Sequence, residues 1–305
     1  MKDLNSYITK TRRNIDTRMK HLVPPNLYEL TTGGKKLRSI LCYLVYDSLT
    51  GYKSPASMRA RAIDLACSVE VVHSVTLAAD DIIDDDEMRR GKPSLHTLKG
   101  FSIAFLEVLS GISFPYQMVA PYGQEYVRAV SKVQQDMCYG VLKEITKDLP
   151  ATRIYEIVND KKTGALFSLS ARFGAMAANA SDDDVERMSK FGLHLGRAYQ
   201  IADDIDDFIN VVSLKKTPDA ITGTEFILLR GLKIDEILKE WGNDVANGKL
   251  DIAKLSQTKQ LFQLYELLAT LNRRLDIELE RAVEVLDGFD GRDVLQKYLI
   301  YCIPR

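Results

Sequence analysis

AIDLACSVEVVHSVTLAADDIIDDDEMRR, residues 62–90, joins a long apolar run to an acidic cluster. Residues 62–79 contain no proline or glycine and are largely apolar, which predicts a helix buried over much of its surface. The acids that follow, Asp80, Asp81, Asp84, Asp85, Asp86 and Glu87, continue that helix. An isolated acidic octet reads as a solvated face. Here the acids sit at the inner end of a core helix, where like charges four apart cost roughly 0.2–0.5 kcal/mol per pair. Several carboxylates in such a place call for an offsetting cation.

A second stretch, GRAYQIADDIDDFIN (residues 196–210), repeats the arrangement. Asp203, Asp204 and Asp207 carry the same D-D-x-x-D spacing as Asp80, Asp81 and Asp84. Residues four apart lie one turn apart on one helix face, so Asp80 with Asp84, and Asp203 with Asp207, each form a two-carboxylate edge. Two such edges facing across a helical cavity hold hard cations. All-oxygen ligands that leave room for water and phosphate suit Mg²⁺, whereas zinc takes His and Cys at short spacing.

The whole chain has 305 residues, 46% of them hydrophobic, and a formal charge of −1. No Pro/Gly/Ser-rich linker divides it, and the expectation is one all-α domain over 1–305. The spacing predicts helices over 3–20, 36–50, 56–88, 99–113, 122–147, 151–179, 182–212, 224–242, 257–287 and 291–302. The near-zero charge removes any general electrostatic case for nucleic acid. The longest uninterrupted apolar runs, such as 40–46, fall short of a transmembrane segment, and the charged start is no secretory signal. Cys42, Cys67, Cys138 and Cys302 show no C-x-x-C pattern and read as reduced thiols of a cytoplasmic protein.

Magnesium held by carboxylates keeps positions open for substrate phosphates, so the cations matter next. Arg89 and Arg90 follow the first acidic motif. Lys162 precedes a segment rich in Gly, Ala and Ser (164–180) that reads equally well as a close-packing helix face. Lys215 and Lys216 follow the second motif. TTGGKKLRSIL (31–41) sets Gly33 and Gly34 before Lys35, Lys36 and Arg38 at a helix entrance, a reasonable anion cradle. His73 lies seven residues before Asp80 and faces nearly the same way.

Together these residues resemble the trans-isoprenyl (polyprenyl) diphosphate synthases, in order and spacing from Gly33 to about Gly223. The resemblance rests on GGKKLR, the first acidic motif with RRGKP, KTGALF, and YQIADDIDD. It implies an all-α isoprenoid-synthase bundle around a deep cavity, assembled as a homodimer. It also implies condensation of an allylic diphosphate with isopentenyl diphosphate, releasing pyrophosphate. By the same resemblance Asp80, Asp81, Asp84, Asp203, Asp204 and Asp207 carry about three Mg²⁺ ions once substrate is bound. Arg89, Lys162, Thr163, Gln200 and Lys215 hold the allylic diphosphate. Lys35, Arg38, His73 and Arg90 hold isopentenyl diphosphate.

Several positions depart from the family pattern: Lys36 replaces an arginine, Ser39 a proline, Glu107 and Val108 a Gly-Asp pair, Val141 a glutamine, and Thr224 a lysine. Two other readings use the acidic motifs. A terpene synthase on the same fold has no use for Lys35, Arg38 and His73. A non-catalytic partner subunit has no need of both complete motifs. Product length in this family is set below the first motif, where short-product members commonly carry an aromatic. Here Val75, Thr76, Val72 and Val69 stand there, which implies an open shaft and a product of about twenty carbons or more, unless Phe105 or Tyr116 supplies a deeper floor.

Overall fold

The computed structural model describes residues 3–212 and 259–303. The described chain is all-α. Its helices are α1 (Leu4–Leu22), α2 (Pro25–Thr31), α3 (Leu37–Leu49), α4 (Ala56–Asp84), α5 (Leu95–Lys99) and α6 (Phe101–Val119). They continue with α7 (Gln124–Thr146), α8 (Ala151–Val158), α9 (Ala165–Ala177), α10 (Asp182–Val212), α11 (Lys259–Val285) and α12 (Arg292–Cys302). Strand pairing among the described residues is one two-residue hairpin, Met88–Arg89 against Lys92–Pro93. The described residues belong to two compact units. The first spans Met1–Gln135, Leu166–Gly192 and Val285–Cys302; the second spans Asp136–Ala165, Leu193–Glu284 and Ile303–Arg305.

Three boundaries differ from the expectation for local reasons. The helix expected over 56–88 stops at Asp84, because Asp85 takes a left-handed conformation (φ 56°) and the chain turns into the hairpin. The helix expected over 99–113 is cut at its start by Gly100 (φ 80°), and α6 then runs through Pro115 to Val119. The helix expected over 151–179 is interrupted by a π-helical turn at Asn159–Gly164. Such turns concentrate at functional sites. The helix expected over 224–242 lies outside the described residues.

In the first unit, α4 is the core helix. Leu65, Ala66, Cys67, Val69, Val71, Val72 and Val75 are buried on it, and each fully buried aliphatic side chain contributes about 1.5–3 kcal/mol. The small-residue segment does act as a packing face. At Gly174 on α9 an added Cβ would collide with the Cys42 carbonyl of α3, and at Gly192 with the Phe167 carbonyl.

Two helical stretches, Ala56–Asp84 and Phe101–Tyr122, are long and apolar enough to cross a membrane by length and composition. Neither shows as an uninterrupted apolar run, because polar residues such as Glu70 and His73 in the first and Glu107 in the second break the sequence. The apolar window of the first is mostly buried inside the fold, as a core helix is; that of the second is mostly open. On it Phe101, Phe105, Leu106 and Leu109, with Leu98 before it, are exposed. The rings of Phe101 and Phe105 stack, with centroids 6.0 Å apart.

Candidate active site

The first acidic motif occupies the last turn of α4. Asp80 is half-buried and Asp84 exposed, on one edge of the helix. Asp81 points elsewhere: successive residues are 100° apart, and its buried carboxylate accepts from Arg89 Nε at 2.7 Å and from Arg89 Nη2. Arg89 also reaches Asp86 at 3.2 Å. Burial opposes the charge on Arg89, but its hydrogen bond to Asp81 and the charges of Asp81, Asp86 and Asp80 hold its pKa above the ordinary value. The middle carboxylate thus ties the hairpin back to α4.

The glycine loop before α3 is shaped by three left-handed residues, Gly33 (φ 80°), Gly34 (φ 70°) and Lys36 (φ 53°). Arg90 lies against Gly34 so closely that a Cβ there would sit 2.8 Å from its Nη2. Arg12 donates to the Lys35 carbonyl at 3.2 Å. Lys35 is exposed, while half-buried Arg38 places Nη1 3.4 Å from His73 Nε2 and its guanidinium 4.5 Å from the Phe167 ring centroid. Burial first, then the positive charges of Arg38, Arg90, Lys36 and Arg89, drive the His73 pKa well below the ordinary histidine value. A histidine whose charged form is disfavoured, with Arg38 beside it and further positive charge nearby, suits an anion.

In the second unit the π turn carries Lys162 and Thr163. Gly140 of α7 lies against the Lys162 backbone nitrogen, 3.1 Å from where a Cβ would sit. Lys162 Nζ donates to Glu144 Oε2 at 3.0 Å. Thr163 Oγ1 donates to Gln200 Oε1 at 2.7 Å, and Gln200 Nε2 donates to Asp204 Oδ1 at 2.9 Å. Tyr155 closes this chain by donating its hydroxyl to Asp204 Oδ2 at 2.6 Å. Asp204 is fully buried, and burial, with the like charges of Asp203 and Asp207, pushes its pKa up to about 7 against the hydrogen bonds from Tyr155 and Gln200. Asp203 is exposed and Asp207 half-buried. Both motifs therefore share one design, with outer acids at the helix edge and one middle acid locked inside. Lys215 lies outside the described residues.

Below the first motif, Val69, Val72 and Val75 are fully buried. Val75 is wedged by α6: a Cβ at Gly111 would sit 2.7 Å from Val75 Cγ2 and 3.0 Å from Leu27 Cδ2. Thr76 is half-buried, with its hydroxyl returned to the Val72 and His73 carbonyls at 3.0 and 2.9 Å. Tyr116 donates to Gln134 at 2.5 Å, and Phe105 stands on the open face of α6. Sequence reasoning missed Glu70, Glu144 and Tyr155. For Glu70 a signal existed, since an acid inside an apolar run three residues before His73 needs a partner.

Comparison with known proteins identifies the family. The polyprenyl synthetase family model matches residues 19–222. The chain is 31% identical over 235 residues to a geranylfarnesyl diphosphate synthase from Methanosarcina mazei, covering 76% of each chain. It is 30% identical over 295 residues to a nonaprenyl diphosphate synthase from Mycobacterium tuberculosis, covering 92% of this chain and 85% of that one. In fold it is similar to a geranylgeranyl pyrophosphate synthetase from Pyrococcus horikoshii, with a TM-score of 0.78 at 22% identity over 99% and 98% of the two chains. With the glycine-lysine loop, the KTG turn and both acidic motifs inside the matched span, the chain belongs to the polyprenyl synthetase family.

Proposed function

We infer that this chain is a trans-prenyltransferase that joins an allylic diphosphate to isopentenyl diphosphate and makes linear products of about twenty carbons or more. The observation that carries this reading is the basic loop before α3, with Arg38 beside His73 and Arg90 packed on Gly34, next to the helix that ends at the Asp80–Asp84 edge. One diphosphate fits the Lys35, Arg38 and Arg90 cluster, and a metal-bound one fits the carboxylate edge. A terpene synthase needs only the second.

The residues fit Mg²⁺. Among the described residues no three His, Cys, Asp or Glu side chains converge into a cage, and Mg²⁺ is usually held by one or two carboxylates with water and substrate phosphates completing its shell. Asp80 with Asp84, and Asp203 with Asp207, supply those carboxylates, while Asp81 and Asp204 support them from inside. When bound, Mg²⁺ stabilises the charge that grows on the departing diphosphate. Lys35, Arg38, Arg90 and His73 hold the diphosphate of isopentenyl diphosphate and orient its double bond. The π electrons form the new carbon–carbon bond as the allylic C–O bond breaks, and the proton lost from the adduct leaves with pyrophosphate. Thr163 and Gln200 keep Asp204 in place, and Arg89 and Lys162, with Lys215, serve the allylic diphosphate. About three Mg²⁺ ions complete the loaded site.

Purified protein with Mg²⁺, isopentenyl diphosphate and each allylic diphosphate in turn, with dephosphorylated products sized by mass spectrometry, tests the reading. Linear products that require both substrates are expected. A cyclic product from the allylic substrate alone would overturn it in favour of the terpene synthase.

Length control rests on Thr76, which is half-open, more than on Val75, which is packed. Thr76→Phe is expected to shift products towards fifteen or twenty carbons in a folded enzyme, whereas Val75→Phe overpacks against Gly111 and costs about 1–3 kcal/mol. An unchanged product length in folded, active Thr76→Phe removes this account.

The open apolar face of α6 supports a homodimer, because an exposed apolar surface of this kind needs a cover and a second copy of the chain would supply it. Leu106→Glu is expected to give monomers by light scattering; a dimer that persists at micromolar concentration contradicts this. The buried thiols Cys42, Cys67 and Cys302 suit a cytoplasmic enzyme.

A further inference from the structure

Lys36 and Ser39 are the two departures from the family pattern nearest the cationic loop, and the structure joins them. The Lys36 ammonium is buried; it donates to the Thr31 carbonyl at 2.7 Å and lies 3.3 Å from Asp16 and 3.7 Å from Glu70. Ser39, one turn on along α3, donates its hydroxyl to the other oxygen of Glu70 at 2.5 Å. Glu70 is buried on α4 one turn before His73. One carboxylate of α4 is therefore gripped by two positions of α3, and the next contact along the same pair of helices is Arg38 against His73.

The left-handed backbone of Lys36 belongs to the same device. A residue with a Cβ avoids φ near 53° unless its surroundings hold it there. Here the inward-turned ammonium does the holding, and its carbonyl starts α3 by accepting from Ile40 at 3.0 Å. With Lys36 turned in, Lys35 remains exposed on the surface and Arg38 sits over Phe167 beside His73.

We propose that Lys36, locked by Glu70, Asp16 and Ser39, is a positioning residue that sets the register of α3 on α4 and so aims the Lys35, Arg38 and Arg90 cluster at its diphosphate. The proposal rests on the reading that this cluster holds isopentenyl diphosphate. It assigns to two substitutions that look like family drift a joint purpose: the arginine-and-proline solution is replaced by a lysine and a serine sharing one buried acid.

The test is steady-state kinetics with each substrate varied in turn, together with Tm, on Lys36→Met, Lys36→Arg, Ser39→Ala and Arg38→Ala. Lys36→Met is expected to raise the KM for isopentenyl diphosphate about tenfold, with the allylic KM and kcat within about twofold. Lys36→Arg keeps the charge and its donors and is expected to restore the KM to within about threefold. Ser39→Ala removes a single hydrogen bond and is expected to fold and to move the same KM by a smaller factor in the same direction. A rise in that KM for Arg38→Ala but none for Lys36→Met or Ser39→Ala overturns the positioning role alone. No rise in any of the variants overturns the reading of the cluster and the proposal with it. An equal rise in both KM values, or a fall in Tm with no KM change, marks a merely structural lysine and overturns the proposal as well. If Lys36→Met does not fold, Ser39→Ala decides.

Discussion

Asp80→Ala and Asp203→Ala are each expected to lower kcat by at least about 10³-fold while helicity and Tm stay near wild type. Asp80 is half-buried and Asp203 exposed, each at the edge of its helix, so removing either empties no core position. Their neighbours in sequence behave in the opposite way. Asp81 is buried against Arg89, and Asp204 is buried between Tyr155 and Gln200. Removing one partner of a buried, hydrogen-bonded charged pair costs about 3–5 kcal/mol, so Asp81→Ala is expected to lower Tm outright. Circular dichroism, thermal melts and product formation measured on the three variants separate the two classes. Turnover above a tenth of wild type in Asp80→Ala or Asp203→Ala would remove the metal-carboxylate mechanism.

Arg38→Ala is expected to weaken isopentenyl diphosphate by about tenfold to more than a hundredfold, because a hydrogen bond to a charged group contributes roughly 1.5–3 kcal/mol. The allylic substrate should be nearly unaffected. Two consequences distinguish this residue from an ordinary surface arginine. It sits on Phe167 and beside His73, so its guanidinium is held before the ligand arrives. Burial is the first cause of the low His73 pKa and the Arg38 charge the next, so losing Arg38 should raise that pKa part of the way towards the ordinary value, which NMR titration of the His73 ring would register. A harmless Arg38→Ala in an enzyme that makes cyclic products without isopentenyl diphosphate would hand the assignment to the terpene synthase.

Much of this was legible without coordinates. The period of the apolar residues identified the core helices, and the four-residue spacing of Asp80 with Asp84 and of Asp203 with Asp207 placed each pair on one edge, because α-helical geometry alone dictates that. The glycine pair before Lys35 announced a loop with special backbone needs, and Gly33 and Gly34 do take positive φ. A π turn inside 151–179 was not legible: it keeps the same apolar rhythm as a helix, and the close approaches of Gly140 to Lys162 and of Gly164 to Leu193 exist only in the folded chain.

The amino-acid sequence by itself determined the helical class, the two carboxylate edges and the cationic loop, since each depends on spacing along one element or on residues adjacent in the chain. Tertiary structure alone decided which acid in each motif turns inward, that Lys36 is buried while Lys35 is exposed, and that Val75 is wedged against Gly111 while Thr76 is only half-buried. Those choices depend on partners far along the chain: Tyr155 lies 49 residues from Asp204, and Ser39 lies 31 residues from Glu70. A carboxylate or an ammonium goes inside only where such a partner meets it, because an unpaired buried charge costs more than the helix that carries it can supply.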